Sequence, residues 1–99
     1  MYISPVINTV EITRSAKKDL RGCPRHVRVK LAAWVVSIES IGLEQTRRLG
    51  GKGLHDEALA GDREGQRSVR LNRGYRAFYV IKDGEVQLVS VIEVNKHEY

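Results

Sequence analysis

The chain has a single cysteine, no long apolar segment and no recognisable secretion signal, and each absence limits what the protein can be. Cys23 alone excludes an internal disulfide and a metal site built from several cysteines, and we expect it to be a small buried residue. No apolar run approaches the roughly 20 residues that a membrane helix needs. The first residues lack the basic region and apolar stretch of a secretion signal. We therefore predict a cytoplasmic protein without a membrane partner.

The size and composition are those of one small folded domain. The chain has 99 residues, of which 41% are hydrophobic and 29% charged, and this balance argues against extensive disorder. We find no internal repeat, no linker and no low-complexity segment. We therefore predict a single domain over residues 1–99.

Positive charge is concentrated in one short stretch of the chain. Residues 63–76 contain five arginines and one acidic residue, Glu64, so this stretch contributes +4 of the net charge of +5. Such a cluster predicts a phosphate-rich partner, and a nucleic acid fits this description. Solvated lysines and arginines on helix surfaces are the alternative for the rest of the basic residues. Binding to a membrane surface is less favoured, because it usually requires basic residues on an amphipathic helix, whereas these arginines lie in strand-like sequence.

Hydrophobic periodicity predicts the order of the elements. Residues 6–13 have the β-branched composition of a strand, and a short helix capped by Thr13 or Ser15 should follow and end at Gly22. Pro24 suits the first turn of a longer helix that ends at Gly42. Residues 43–49 could add a short helical turn, and residues 50–65 have the pattern of a loop. Alternation with a period of two, together with the turn signal of Asp83-Gly84, then predicts three strands joined by hairpins, at residues 66–71, 75–81 and 85–94.

These elements predict an α+β domain. Three strands joined by hairpins form an antiparallel meander, and the first strand must join one edge of that sheet. The order is β-α-α-β-β-β, with the two N-terminal helices packed on one face of a small antiparallel sheet. The sequence does not decide which strand the first one pairs with.

Four segments resemble one known family. They are residues 61–65 (Gly-Asp-Arg-Glu-Gly), 68–71 (Ser-Val-Arg-Leu), 74–79 (Gly-Tyr-Arg-Ala-Phe-Tyr) and 91–99 at the end of the chain. These segments are similar to the RelE/ParE superfamily, the toxins of type II toxin–antitoxin systems. The likeness is to the RelE-, HigB- and YoeB-like mRNA interferases in particular. It implies a RelE-like fold and a ribosome-dependent endoribonuclease that cuts mRNA. It also implies a cognate antitoxin as partner, with the ribosome and mRNA as targets.

The same resemblance assigns roles to individual residues. It implies that Arg76 holds the scissile phosphate, that Arg70 assists it from the preceding strand, and that His97 and Tyr99 take part in proton transfer or orient the RNA. Among the remaining candidates, His55 and Glu98 are possible acid/base groups, and the arginines expected to contact phosphate less specifically are Arg63, Arg67 and Arg73. Three scattered histidines do not make a metal site, and we predict neither a metal nor a cofactor.

These residue types suit the cleavage of RNA. The 2′-OH of RNA can attack the adjacent phosphorus, provided that the enzyme aligns the attack, accepts a proton, stabilises the phosphate charge and protonates the leaving oxygen. The planar guanidinium of Arg76 suits charge stabilisation, since it makes two charge-assisted hydrogen bonds. His97, Glu98 and Tyr99 offer a base, a carboxylate and a phenol for the proton transfers.

Two other functions fit the same sequence. A ParE-like toxin would use this fold to inhibit DNA gyrase without nuclease chemistry, and fold alone does not separate the two. A plain nucleic-acid-binding module would grip the phosphate backbone with its arginines and cut nothing.

Overall fold

The computed structural model describes residues 6–96, apart from the side chain of Lys52, and shows an α+β domain. Within that range the chain forms three α-helices and a five-stranded sheet with the strand order β1-β5-β4-β3-β2. None of the helices in the described part of the chain is long and apolar enough to cross a membrane. The elements in chain order are β1 (Val10–Ile12), α1 (Arg14–Arg21), α2 (Arg25–Ile41), α3 (Leu43–Leu54), β2 (Glu57–Ala58), a 3-10 turn (Gly61–Arg63), β3 (Arg67–Arg70), β4 (Tyr75–Lys82) and β5 (Leu88–Lys96).

Local sequence signals account for the first two helices. The Thr13 hydroxyl accepts a hydrogen bond from the backbone N–H of Ala16 at 3.2 Å and so caps α1. Pro24 stands one residue before α2 and not inside its first turn. Gly42 ends α2 at a φ of +85°, and a Cβ there would lie 2.7 Å from a Val6 methyl group. The buried face of α2 recurs at intervals of three and four residues, through Val27, Leu31, Trp34 and Ile38.

The prediction of a loop over residues 50–65 was wrong at its start. Residues Leu43–Leu54 form α3, with one break in helical geometry at Gly51, and β2 follows it. Three glycines in four positions give this segment a low helix propensity, so its helicity depends on packing. Leu43 and Leu54 are buried, and the Thr46 hydroxyl donates to the Gly42 carbonyl at 2.8 Å and contacts the Ser37 hydroxyl at 2.9 Å.

The predicted sheet is confirmed in its central part and corrected at its margins. The meander β3-β4-β5 is antiparallel, as the alternation indicated. β1 is shorter than predicted and adds to the sheet as a parallel neighbour of β5. The Asp83-Gly84 signal does not make a two-residue hairpin. Such a turn needs positive φ angles, which Gly84 does not adopt, and a Gln87–Asp83 side-chain hydrogen bond of 2.6 Å closes a longer connection instead.

The core lies between the helices and one face of the sheet. Trp34 of α2 and Tyr79 of β4 meet at its centre, with ring centroids 5.3 Å apart. Cys23 is also buried in this core, as expected. The sheet positions that complete it are Val69, Ala77, Val89, Val91 and Val94. Because side chains alternate along a strand, the residues between these positions lie on the opposite face of the sheet.

Candidate nucleic-acid interface

The face of the sheet that points away from the helices carries two cross-strand rows of functional side chains. In one row Arg76 of β4 lies between Arg70 of β3 and Asn95 of β5. The second row contains Glu57, Ser68, Phe78 and Glu93, each paired with the next across neighbouring strands. Directly opposed residues in a sheet lie close enough to interact, so these two rows form one continuous surface.

Arg76 is the central group of this face. The residue is only 9% exposed, and its guanidinium donates to the Ser68 hydroxyl over 2.6 Å. The same guanidinium lies 3.6 Å from a carboxylate oxygen of Glu57, which is itself about half exposed. A largely buried arginine with one neutral acceptor and one long ion pair is not fully neutralised. The Arg76 guanidinium is therefore a fixed positive charge at the surface of the sheet, and Arg70 is its neighbour on the adjacent strand.

Arg63 reaches the same face from the 3-10 turn. Its guanidinium carbon lies above the Phe78 ring, 4.1 Å from the ring centroid. One terminal nitrogen donates to both carboxylate oxygens of Glu93, at 3.0 and 3.1 Å, and the other donates to the Gln66 amide oxygen at 2.8 Å. We name this group, made of Arg63, Gln66, Phe78 and Glu93, the Arg63 clamp.

Arg67 is turned away from this surface. Its guanidinium donates to the Asp56 carboxylate at 2.7 Å, and the Tyr79 hydroxyl donates to the other oxygen of that carboxylate at 2.6 Å. The Asp56 side chain is 5% exposed, and Arg47 of α3 stands 3.8 Å from it. Since Tyr79 belongs to the core, Arg67 lies on the helix side of the sheet. Through Asp56, which lies between α3 and β2, its charge links β3 and β4 to the end of α3.

This network shifts two pKa values. Burial by itself lowers the pKa of Arg67, but the hydrogen bond and negative charge of Asp56 outweigh burial, so the pKa of Arg67 is raised. Burial also raises the pKa of Tyr79 well above that of an ordinary phenol, and the hydrogen bond to Asp56 raises it further. Both shifts favour a charged Arg67 and a neutral Tyr79.

We expect this raised pKa to make the protein lose stability in alkali. In the unfolded chain Tyr79 ionises near pH 10, but in the folded protein it stays neutral to higher pH. The unfolded state therefore binds fewer protons above about pH 10, and the free energy of unfolding falls as pH rises. Urea unfolding at pH values from 8 to 11 should show this slope in the wild type. Tyr79→Phe should flatten it, and an identical slope in both proteins would contradict the assignment.

The other candidate residues lie around the edge of the surface. Arg73 is exposed in the turn between β3 and β4, where the Asn72 side chain accepts from the backbone N–H groups of Gly74 and Tyr75. His55 ends α3 with a left-handed φ of 48°, and its ring nitrogen lies 3.5 Å from Glu57.

The candidate site residues at the C-terminal end lie beyond the described part of the chain. β5 is described as far as Lys96, which pairs with Tyr75, and His97, Glu98 and Tyr99 lie outside the described residues. Within residues 6–96, no three His, Cys, Asp or Glu side chains group as they would around a metal ion.

Sequence reasoning missed two groups next to Arg76. Ser68 alternates with the core residue Val69, so the period of two already placed it on the face of Arg76 and Arg70. Glu57 carried no such signal, because it fell in a segment predicted to be a loop. Only the pairing of β2 with β3, which sets Glu57 opposite Ser68, brings this carboxylate to the site.

Solved structures share this arrangement of helices and sheet. A YoeB/ParE toxin from Agrobacterium tumefaciens superposes with a TM-score of 0.66 at 20% identity, covering 91% of this chain and 99% of that one. The RelBE2 toxin–antitoxin complex from Mycobacterium tuberculosis gives a TM-score of 0.56 at 26% identity, covering 95% and 100%. The chain has the fold of the RelE/ParE superfamily. YafQ from E. coli is similar too, with a TM-score of 0.67 at 15% identity over 88% of this chain and 90% of that one.

The fold that the sequence resemblance to the RelE/ParE superfamily implied is thereby confirmed. No model of a known protein family matches the chain, and no curated protein sequence does either. The likeness therefore rests on the RelE/ParE fold and on the four short sequence segments named above. The structures that share the fold include two toxin–antitoxin complexes, RelBE2 and the DinJ–YafQ complex from E. coli.

Proposed function

We propose that this chain is the toxin of a toxin–antitoxin pair and that it cuts mRNA on the ribosome as an endoribonuclease. Its RelE/ParE fold and the toxin–antitoxin complexes among the similar structures support the toxin role. The nuclease chemistry is supported mainly by one observation. Arg76 is a largely buried cation on the face of the sheet away from the helices, with a hydroxyl and a carboxylate beside it.

In this proposal Arg76 binds the scissile phosphate. Its planar fork offers two parallel donors and remains charged at every working pH. The phosphate takes over the positions next to the guanidinium that the Ser68 hydroxyl and the Glu57 carboxylate occupy in the free protein. Arg70, paired with Arg76 across the strands, adds positive charge on the same row. Charge that develops on the phosphate in the transition state is thus met by a donor that is already in place.

Glu57 and the C-terminal residues supply the proton transfers. The Glu57 carboxylate is partly exposed and lies 3.6 Å from Arg76 in the free protein. A phosphate that takes its place leaves the carboxylate beside the bound nucleotide, within reach of the 2′-OH. We assign it the role of proton acceptor, with His55 beside it as an orienting neighbour. His97 and Tyr99 are assigned to protonation of the leaving 5′ oxygen and to orientation of the RNA. Glu98 remains a further acid/base candidate.

The proposed partners follow from the charge of this face. Ribosomal RNA and mRNA present the phosphates that Arg70, Arg73 and Arg76 would meet, and the association should weaken as salt increases. An antitoxin that neutralises the protein must cover the same face with a helix or an extended segment. Acidic residues on that segment would complement the arginines.

This proposal is tested by inducing expression of the wild-type chain in cells. The mRNA ends are then mapped, and the topology of the DNA is determined. We expect growth arrest with mRNA cut inside translated codons, and no cuts when translation initiation is blocked. Growth arrest with broken or over-wound DNA and intact mRNA would replace the proposal with gyrase inhibition. Steep, salt-sensitive RNA binding without any cleavage would reduce the protein to a binding module.

A further inference from the structure

We propose that the Arg63 clamp is a stacking platform for one base of the bound RNA, so that Arg63 contacts a nucleobase and not a phosphate. The inference rests on the proposed nuclease function and adds to it a residue that senses the base next to the cleavage point. Arg63 is one of the arginines for which the sequence predicted a phosphate contact.

The hydrogen-bond partners of Arg63 argue against a phosphate contact. Both terminal nitrogens of Arg63 already have partners, one the Glu93 carboxylate and the other the Gln66 amide oxygen. The Glu93 charge compensates that of Arg63 and would repel an approaching phosphate. Asn95 also donates to Glu93 and holds this carboxylate in place. A phosphate would have to displace these partners, whereas an uncharged base would not.

The guanidinium of Arg63 is suited to stacking with a base. One face rests against the Phe78 ring at 4.1 Å, which explains why Phe78 is only 8% exposed although it points away from the core. The Arg63 side chain itself is 37% exposed, so the clamp leaves part of it open to solvent. Guanidinium planes and aromatic rings are the surfaces on which proteins stack unpaired RNA bases. Holding the plane by Glu93 and Gln66 lowers the entropy that a base must overcome on stacking.

The platform lies at a suitable distance from the phosphate site. Phe78 and Arg76 project from the same face of β4, two residues apart, which in a strand corresponds to about 6.8 Å. A nucleotide whose phosphate is held by Arg76 therefore places its own or a neighbouring base over the Arg63 clamp. Stacking there would make cleavage depend on a base at one position of the codon.

Single-turnover cleavage on programmed ribosomes tests this. The mRNA carries an abasic nucleotide at each of the three codon positions in turn, and wild type is compared with Arg63→Lys, which keeps the charge but loses the plane. At one position, the abasic nucleotide should slow the wild type about tenfold, within the range of base stacking. Arg63→Lys should slow cleavage of intact mRNA by a similar factor, with no further loss from the abasic nucleotide at that position.

Further variants separate the inference from simpler explanations. Arg63→Met, which also removes the charge, should match Arg63→Lys, and Arg14→Lys on α1 should leave all rates unchanged. Thermal unfolding of each variant reports whether it folds. Two results would overturn this inference while leaving the nuclease proposal intact, provided that wild type cleaves intact mRNA in an Arg76-dependent way. In the first, the losses from Arg63→Lys and from the abasic nucleotide multiply in the combined experiment. In the second, Arg63→Lys is as active as wild type. If wild type does not cleave intact mRNA, the proposed nuclease function fails and the inference fails with it.

Discussion

Arg76→Ala should reduce the rate of mRNA cleavage by about 10²- to 10³-fold and remove growth arrest. Removal of one preorganised group that stabilises transition-state charge has effects of that size in other enzymes. Arg76 is largely buried and is positioned by the Ser68 hydroxyl, so its guanidinium is already oriented before RNA binds. The measurement is the single-turnover cleavage rate on programmed ribosomes, with growth after induction as the cellular readout.

Two further variants give this prediction its controls. Arg76→Lys keeps the charge but loses the planar fork, and we expect an intermediate loss of about tenfold. Arg25→Ala removes an exposed arginine at the start of α2 and should leave the rate unchanged, which controls for net charge. All three should retain the wild-type circular dichroism spectrum. Cleavage by a folded Arg76→Ala at the wild-type rate would remove Arg76 from the site and end the proposal as stated.

Asp56→Ala should lower the free energy of unfolding by about 3–5 kcal/mol. The Asp56 carboxylate accepts from Arg67 and from the Tyr79 hydroxyl beneath α3, and its removal leaves a guanidinium and a phenol unpaired in a largely buried site. Breaking one partner of a buried ion pair has costs of that order, because the remaining charge is uncompensated. A domain of this size has a total stability of about 5–15 kcal/mol, so the loss should be obvious in urea unfolding.

Matched substitutions distinguish the buried network from a general effect of removing an acid. Asp56→Asn keeps one acceptor oxygen and should cost less, about 1–3 kcal/mol. Asp62→Ala removes an exposed carboxylate from the 3-10 turn and should change stability by no more than about 0.5 kcal/mol. The urea midpoint should shift in Asp56→Ala while the denaturant slope stays constant. Equal midpoints for Asp56→Ala and Asp62→Ala would contradict the structural role of this network.

The arginine cluster shows how far sequence reasoning reaches. All five arginines of residues 63–76 looked alike as sources of positive charge, but the structure gives them different surroundings. Arg70 and Arg76 lie side by side on the surface away from the helices, Arg63 is held by Glu93 over Phe78, and Arg67 serves the core network. Net charge is a property of the composition, whereas the use of each charge depends on which face of the strand carries it.

The extra helix α3 shows the same limit in the backbone. Its glycines predicted a loop, since local propensity was the only information available. Burial of Leu43 and Leu54 against the rest of the domain overrides that propensity. The helix in turn sets the start of β2 and so brings Glu57 next to Arg76, which no local pattern indicated.

The sequence by itself determined the class of fold, the long helix α2, the antiparallel meander and the strand that carries Arg76. These features depend on periodicity and on contacts between residues that are near one another along the chain. Only the tertiary structure decided which charges are paired, that Glu57 joins the site and that Arg63 stacks on Phe78. Those outcomes depend on contacts between residues in different elements, such as Arg63 with Glu93, which lie 30 positions apart, and such contacts leave no periodic pattern in the sequence.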